Sequence, residues 1–329
     1  MTNIGIAGLG AVGSQLLYRL KSRDDINKLV VYDSDYSKLN KHTRKQLQKI
    51  EVSPSPRIEQ ADIDVLFLCT PSGQHLEYAH RAARQGISTI STSDRISDVI
   101  GILSLGDLAR ENHCTMIAGA GFSPGLTCVL SSFASESFDV VDEIHIAKDG
   151  TGGPACARQH HRAMKRPSLD WRDGKWVRRP GGSGRELVWF PEPVGGADCY
   201  RAALPDAALL QPLFPQVSRI TARLSATRQD RFTSWLPMLT PPHNDGGIGA
   251  VRVEVRGQLN NRRETRVLGV AAPPSTLSAI VGEAALPYIQ ASNFYGAGGL
   301  ASIVPAEEYV NKIRRNGVRI FEFDGIPSF

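Results

Sequence analysis

The sequence is poor in cysteine and has no long apolar run. Its five cysteines are odd in number, widely spaced and form no CxxC pair, which argues against a disulfide framework and against a zinc site. No stretch reaches the ~20 apolar residues that would span a bilayer, and the first residues lack a charged leader pattern. We therefore expect a cytoplasmic protein with no metal site and no membrane association.

Sequence motifs of several enzyme classes are missing as well. The chain has no serine-nucleophile motif, no Walker A loop and no HExxH, so hydrolase and kinase functions have no support. The 329 residues exceed one core of ~100–200 residues, and 41% hydrophobic with 22% charged residues is a globular composition, which predicts two domains. The net charge of +5 is modest. Few aromatic residues accompany the cations, so we expect no nucleic-acid partner.

A glycine pattern near the N-terminus predicts a dinucleotide-binding turn. A short apolar strand leads into Gly8, Gly10 and Gly13, which open a helix. In such a turn the first glycine permits the tight bend, the second lets the backbone approach the pyrophosphate, and the third permits close contact between helix and strand. The expected cofactor-binding residues of this turn are Gly8, Gly10, Ala11, Val12 and Gly13.

The second strand ends in Asp33, 20 residues after Gly13. Its carboxylate would accept hydrogen bonds from the adenosine ribose and repel a 2′-phosphate, which favours NAD over NADP. The cations at Lys38, Lys41 and Arg44 could offset that repulsion, so the cofactor is expected to be NAD or NADP, with NAD favoured.

Strands and helices continue to alternate through the first third of the chain and predict a parallel sheet covered on both faces. Ligands of such sheets bind at the carboxyl ends of the strands. We therefore expect five residues at these ends to contact the nicotinamide half of the cofactor: Thr70, Pro71, Ser72, Ser93 and Gly121. The alternative is that Ser72 and Ser93 only cap the helices that follow.

The stretch from Gly119 to Gly125, GAGFSPG, resembles the point where saccharopine dehydrogenase-like and diaminopimelate dehydrogenase-like oxidoreductases leave the nucleotide domain. Ser123 is expected to cap the next helix and Pro124 to open it. The C-terminal stretches PPSTLSAIVGEAALPYI and YGAGGLASIVPAEEYVNKIRRNGVRIFEF resemble the end of saccharopine dehydrogenase-like chains. We expect Phe122 and Pro124 to contact the substrate.

This resemblance, over about residues 1–135 and 270–325, implies an α/β fold. It comprises a Rossmann-type parallel-sheet domain over residues 1–125, and an α+β catalytic domain with a mixed or antiparallel sheet over 126–290. A C-terminal segment, 291–329, returns to the first domain. The second domain is supported independently by four alternating segments: VVDEIHIAKD, RITARLSATR, IGAVRVEVRGQL and ETRVLGVAA. Asn260 and Asn261 would form the hairpin turn between the last two. Residues 169–198 lack periodicity and predict a long loop.

The segment CARQHHRAMKRP, residues 156–167, predicts a helix that ends at Pro167. Residues three and four apart share a face, so Cys156, His160, Ala163 and Met164 form an apolar stripe. Arg158, His161, Arg162 and Lys165 form the opposite stripe. His160 then points towards the core or a cleft, as a core histidine or as an acid–base group. The cations form either a solvated face or a site for an anionic partner.

We expect the catalytic groups to be among His160, His161 and Asp149. Arg158, Arg201 and Tyr200 are expected to bind the substrate, although Arg201 could equally be a surface arginine.

These residues and the resemblance together predict an NAD(P)-dependent oxidoreductase that transfers a hydride at the amine or imine carbon of an anionic or amino-acid-like substrate. Two alternatives stay open. One is a synthase that keeps NAD as a prosthetic group, as the similar homospermidine synthases do. The other is a dinucleotide-sensing protein without catalysis. We further expect a homodimer.

Overall fold

The computed structural model describes residues 2–34, 51–53, 62–236, 238, 246–291 and 294–323 of the 329-residue chain. Lys38, Lys41 and Arg44, whose charges bear on the choice between NAD and NADP, lie outside the described residues. In the described part of the chain, no helix combines the length and the apolar character needed to span a bilayer.

The first sheet consists of seven parallel strands in the described residues. They are β1 (Thr2–Ala7), β2 (Ile26–Tyr32), β3 (Glu51–Ser53), β4 (Val65–Leu68), β5 (Ser88–Ser91), β6 (Thr115–Ala118) and β15 (Gly296–Gly299). Their order is β15-β6-β5-β4-β1-β2-β3. The central strands β1 and β4 are almost wholly buried because both faces of the sheet are covered.

Helices alternate with these strands. They are α1 (Ala11–Leu20), α2 (His75–Ala83), α3 (Ile96–Leu103) and α4 (Gly106–Glu111). Helix α1 buries Leu16, Leu17 and Leu20, which recur at helical spacing. The later helices are α5 (Leu126–Ser135), α6 (Pro154–Lys165), α7 (Asp206–Leu210), α8 (Arg228–Thr233), α9 (Pro274–Ala291), α10 (Leu300–Ile303) and α11 (Ala306–Arg315). Helix α9 packs against α1.

The second sheet has nine strands in the described residues. They are β7 (Val140–Asp149), β8 (Ser168–Arg172), β9 (Lys175–Arg179), β10 (Glu186–Trp189), β11 (Gly196–Arg201), β12 (Arg219–Ser225), β13 (Gly249–Leu259), β14 (Arg262–Ala272) and β16 (Phe321–Phe323). The order is β10-β11-β12-β7-β13-β14-β16, and the β8–β9 hairpin joins β12. Strands β7 and β12 run parallel and the other pairs antiparallel, so this sheet is mixed, which confirms the predicted fold class.

The four strands predicted for the second sheet are confirmed as β7, β12, β13 and β14. Asn260 and Asn261 join β13 to β14 with φ of 51° and 60°. Two consecutive positive φ angles are what a two-residue hairpin turn of type I′ requires, and asparagine tolerates them better than most residues.

The long loop predicted over residues 169–198 is wrong. This segment contains β8, β9, β10 and the start of β11, arranged as two hairpins. Asp173 and Gly174, with φ of 49° and 76°, form the turn between β8 and β9. Trp171 and Trp176 pair across that hairpin, edge to face, at 5.1 Å between ring centroids. An Asp-Gly turn between β-forming residues is a hairpin signal, and the high glycine and proline content had obscured it.

The expected start of helix α5 is also wrong. The helix begins at Leu126, and its N-cap is Gly125 with φ of 124° rather than Ser123. The Ser123 hydroxyl instead donates to the buried carboxylate of Asp206 at 3.1 Å. The side chain is therefore used for a contact between distant segments, which local capping preferences cannot reveal.

Candidate active site

A cavity of about 680 Å³ lies between the carboxyl ends of the parallel strands and the start of α6. On one side it is lined by the glycine turn, by Asp33, and by Thr70, Pro71 and Ser72, which we call the Thr70 turn. On the other it is lined by Phe122, Ser123, Lys148 and residues 152–156, with Arg158 and His160. The cavity thus joins the expected cofactor residues of the first sheet to polar residues of the second sheet and α6.

The glycine turn has the geometry of a dinucleotide site. Gly8 has φ of +93°, and a Cβ atom there would lie 2.8 Å from the Cys69 carbonyl. A Cβ on Gly13 would lie 1.9 Å from the Gly8 oxygen, whereas one on Gly10 would meet nothing within 4 Å. Gly8 and Gly13 therefore allow backbone contacts within the protein, while Gly10 leaves open space at the N-terminus of α1, where a pyrophosphate could approach.

Asp33 lines the same cavity at the end of β2. Its Oδ2 atom accepts a hydrogen bond from the Leu9 amide at 2.7 Å. The carboxylate therefore holds the glycine turn in place in addition to any contact with a ribose.

The Thr70 turn is held from behind by His75, which is 1% exposed. The His75 Nε2 atom lies 2.8 Å from the Thr70 carbonyl oxygen, and Nδ1 lies 2.9 Å from the Ser91 hydroxyl. Because a carbonyl only accepts, Nε2 carries the hydrogen and Nδ1 accepts from Ser91. Burial lowers the pKa of His75, in keeping with this neutral form.

The hydroxyls of Ser72 and Ser93 have hydrogen-bond partners in the protein, whereas the hydroxyl of Thr70 has none among the described residues. Ser72 donates to Asp94 at 2.9 Å, and Ser93 donates to the buried Asp98 at 2.7 Å. The Thr70 hydroxyl is buried and has no hydrogen-bond partner among the described residues. Since an unpaired buried hydroxyl is costly, this atom fits a contact to the nicotinamide half of a dinucleotide.

Asp94 is the centre of a buried polar cluster at the other end of the cavity. Its Oδ2 atom lies 3.0 Å from His160 Nε2, 3.3 Å from Cys156 Sγ and 3.8 Å from Lys148 Nζ. Asp94 and His160 are both 7% exposed, and Lys148 is 1% exposed. Three separate elements meet here: the end of β5, the end of β7 and the first turns of α6. We refer to Asp94, Lys148, Cys156 and His160 as the Asp94 cluster.

Burial and neighbouring charges shift the pKa values of Asp94, His160 and Cys156 and so determine their protonation states. Burial by itself would raise the pKa of Asp94, but the hydrogen bond from His160 and the charge on Lys148 outweigh it, and the pKa falls well below its usual range. Burial, assisted by the Lys148 charge, lowers the pKa of His160. Burial and the Asp94 charge raise the pKa of Cys156. At neutral pH the cluster therefore holds a carboxylate, a neutral imidazole and a thiol.

The ligand atoms of Asp94, Cys156 and His160 all lie within 4.8 Å of one another, which is compatible with a metal-ligand set. The nearby Lys148 ammonium would repel a divalent cation. The expectation of no metal site stays a prediction.

The structure brings together most of the sequence-predicted site residues. Gly8, Gly10, Ala11, Val12, Asp33, Thr70, Pro71, Ser72, Ser93, Phe122, Arg158 and His160 line the cavity. Gly13, Gly121, Pro124, Asp149, His161, Tyr200 and Arg201 are not among its lining residues. Helix α6 has the predicted faces, with His160 buried and Arg158, Arg162 and Lys165 exposed.

The residues outside the cavity have other partners. Asp149 accepts from the Ser225 hydroxyl, and His161 Nε2 donates to the Leu236 carbonyl at 2.8 Å. Arg201 is paired with Asp170 at 3.2 Å. Tyr200 is the exception, since it is fully buried and its hydroxyl has no hydrogen-bond partner among the described residues.

Sequence reasoning did not select Lys148, Asp94 or Cys156 as site residues. The strand pattern could have identified Lys148. Ile144 and Ile146 are buried apolar residues of β7, and Lys148 follows them at the strand period of two, on the same buried face. Cys156 shares the predicted apolar stripe with His160, but the contact of Asp94 with either residue had no signal, because it depends on how β5 and α6 pack.

Comparisons with known proteins agree with this geometry. Residues 3–111 match the semialdehyde dehydrogenase, NAD binding domain family. No curated protein sequence matches the chain. Apo saccharopine dehydrogenase (L-Glu forming) from Saccharomyces cerevisiae superposes with a TM-score of 0.69 at 12% identity, covering 98% of this chain and 100% of that one.

Two further solved structures are similar. The diaminopimelate dehydrogenase of C. glutamicum, in complex with DAP, has a TM-score of 0.54 at 15% identity, covering 93% of this chain and 95% of that one. An amine dehydrogenase from Mycobacterium smegmatis has a TM-score of 0.56 at 12% identity, covering 92% and 96%. Residues 3–111 are therefore similar to an NAD-binding domain, and the chain as a whole has the fold of saccharopine dehydrogenase, in agreement with the sequence resemblance.

Proposed function

We propose that the protein is an NAD(P)-dependent oxidoreductase that transfers a hydride at a carbon–nitrogen bond of an amino-acid-like substrate. The observation that carries this proposal is a cavity lined both by the glycine turn and by the Asp94 cluster. A dinucleotide site next to a buried acid–base group is the combination that amine oxidation or imine reduction needs. The names of the similar structures, which include saccharopine and diaminopimelate dehydrogenases, support the choice of substrate.

The proposed cofactor-binding residues hold and orient the dinucleotide. The free amides at the start of α1 bind the pyrophosphate, Asp33 faces the adenosine ribose, and Thr70 contacts the nicotinamide half. When bound, the nicotinamide supplies or accepts the hydride.

His160 is the proposed proton carrier. The Asp94 carboxylate only accepts hydrogen bonds, so His160 Nε2 carries the hydrogen and the free lone pair is on Nδ1. The lowered pKa keeps this imidazole neutral at pH 7 and able to take a proton when an amine is oxidised. The anionic Asp94 then stabilises the imidazolium that forms. Arg158 is exposed at the wall of the same cavity, which supports its proposed role of pairing with a distal carboxylate of the substrate.

Cys156 raises the question of thiol chemistry, because a thiolate in this cavity would suit an aldehyde or acyl substrate. Burial and the Asp94 charge both raise its pKa, so the thiol stays protonated and is a poor nucleophile. The cavity therefore favours carbon–nitrogen chemistry over a covalent thiol mechanism.

The test is a turnover screen with C4-deuterated NADH and NADPH, each incubated with pairs of 2-oxo acids and amines or amino acids. We expect deuterium on the carbon that bears nitrogen in the product, detected by mass spectrometry. Product without net oxidation of the cofactor would instead support the synthase that retains NAD. Tight cofactor binding with no product from any pair would support the non-catalytic sensor.

A further inference from the structure

We propose that Lys148 binds a carboxylate of the substrate beside the reacting carbon, so that the substrate class is an α-amino or 2-oxo acid rather than a simple amine. This inference rests on the proposed function, but binding of a carboxylate at Lys148 can be measured without turnover.

The first argument is that the Lys148 ammonium lacks enough partners. It is 1% exposed and lines the cavity. An ammonium has three N–H donors, yet within the described ranges its one hydrogen bond goes to the Ser123 carbonyl at 3.2 Å. Asp94 forms an ion pair with it at 3.8 Å, but at that distance the carboxylate oxygen accepts no hydrogen bond from the ammonium. A buried charge is stable only when it is paired and hydrogen-bonded, so two donors remain for a ligand.

The second argument is that the neighbouring carboxylates are already occupied. Asp94 accepts from the Ser72 hydroxyl through Oδ1, and its Oδ2 atom meets His160 and the Cys156 thiol. Asp206 accepts from the Ser123 and Thr127 hydroxyls, and burial raises its pKa, which weakens it as a counter-ion. An incoming carboxylate would therefore supply acceptors that this part of the protein does not.

The third argument comes from α6, whose first turn lines the same cavity through residues 152–156. In this part of the described chain its N-terminus has no side-chain cap, and the N-cap Gly153 has φ of +117°. The first amides of a helix have no intrahelical partner and attract anions. Lys148 and this helix terminus together define a site for a small carboxylate.

A phosphate of the cofactor is the rival occupant, because a Cβ on Gly152 would lie 3.6 Å from Val12 at the start of α1. The two sources differ in what Lys148 should affect. A substrate carboxylate makes Lys148 necessary for binding of small 2-oxo acids to the cofactor complex. A cofactor phosphate makes it necessary for binding of the cofactor itself.

The experiment is calorimetric titration of pyruvate, and of its uncharged isostere pyruvamide, into the full-length protein saturated with NAD⁺ or NADP⁺. The oxidised cofactor cannot reduce either probe, so binding is measured without chemistry. Lys148→Met keeps the apolar stem and removes the charge. Lys165→Met, which removes an exposed cation from the end of α6, is the matched control.

We expect wild type and Lys165→Met to bind pyruvate at least tenfold more tightly than pyruvamide. Loss of a hydrogen-bonded charge should weaken pyruvate binding to Lys148→Met by roughly 10- to 100-fold, with unchanged cofactor affinity. Equal affinity for the two probes, or no pyruvate binding to wild type, would overturn the proposal even if Lys148→Met fails to fold. An equal loss of cofactor affinity in Lys148→Met would overturn it in favour of the phosphate. A protein that binds pyruvate as expected but shows no turnover retains this site and loses only the proposed reaction.

Discussion

Gly10 and Gly13 belong to one turn, yet the structure predicts opposite consequences when each is replaced. A Cβ on Gly10 would meet no protein atom within 4 Å, and the backbone φ of −67° suits any residue. A Cβ on Gly13 would lie 1.9 Å from the Gly8 carbonyl oxygen, a backbone atom that cannot rotate away. Gly10→Val should therefore impair the cofactor site alone, whereas Gly13→Ala should impair the fold of the turn.

The magnitudes follow from these contacts. In Gly10→Val the side chain occupies the space of the pyrophosphate. Losing even one hydrogen bond to a charged group costs about 1.5–3 kcal/mol, or roughly 10- to 150-fold in affinity. The weaker N-cap costs about 1 kcal/mol of stability at most. In Gly13→Ala, overpacking costs about 3 kcal/mol and the better helix propensity of alanine returns about 1 kcal/mol. The remaining ~2 kcal/mol corresponds to roughly 3 °C in Tm for a chain of 329 residues.

The assay pairs calorimetric titration with NAD⁺ and NADP⁺ with a thermal unfolding scan of each apo variant. Gly10→Val should unfold within about 1.5 °C of wild type and bind each cofactor at least roughly 10-fold more weakly. Gly13→Ala should unfold about 3 °C below wild type. Wild-type cofactor affinity in Gly10→Val would refute the assignment of this turn to the pyrophosphate. A wild-type Tm in Gly13→Ala would refute the reasoning from backbone contact.

Three further predictions concern single side chains. His160→Asn should lower kcat by roughly 10²- to 10⁴-fold with little change in cofactor affinity, measured by steady-state kinetics. The same histidine has a folded pKa below its unfolded value near 6.5, so its contribution to stability is complete above that pH and is lost as pH falls. Wild type should therefore lose up to about 1.4 kcal/mol per pH unit more than His160→Asn below pH 6.5, in denaturant titrations. Asp33→Asn, which keeps an acceptor for the Leu9 amide, should reduce any preference for NAD⁺ over NADP⁺ in the ratio of dissociation constants; an unchanged ratio would contradict the role of the charge.

The first sheet and its glycine turn could be predicted because the relevant physics is local. Gly8 must adopt a positive φ and Gly13 must allow backbone contact, and glycine meets both demands wherever the strand–turn–helix order is present. The strands of both sheets could be predicted for the same reason. Alternation of polar and apolar residues, or a continuous apolar run, depends only on which faces of that one strand are buried. The Asp173-Gly174 turn of the β8–β9 hairpin is an equally local signal. The high glycine and proline content of the segment nevertheless suggested a loop.

The Asp94 cluster could not be predicted in full because it is assembled from three distant segments. His160 was identified by its position on the apolar face of α6, a property of one helix. Asp149 is among the predicted catalytic groups, whereas strand alternation directs Lys148 towards the cavity and Asp149 towards Ser225. No local sequence pattern reveals the packing that brings β5 beside α6. Asp94 was therefore visible as a residue at a strand end but not as the partner of His160.

The polar groups of the cavity fall into two kinds, and the division itself argues for two ligands. Asp33, Asp94 and His75 have partners within the protein and hold the backbone or one another in place. The Thr70 hydroxyl and two donors of Lys148 have no such partners in the described residues, and neither N-terminus of α1 or α6 carries a side-chain cap. Each unpaired buried donor costs about 1–3 kcal/mol. The donors without partners near α1 and Thr70 suit hydrogen bonds to a dinucleotide, and those near α6 and Lys148 suit hydrogen bonds to a carboxylate. Binding of both would give these groups hydrogen-bond partners and, in the proposed reaction, would exclude water from the carbon that exchanges the hydride.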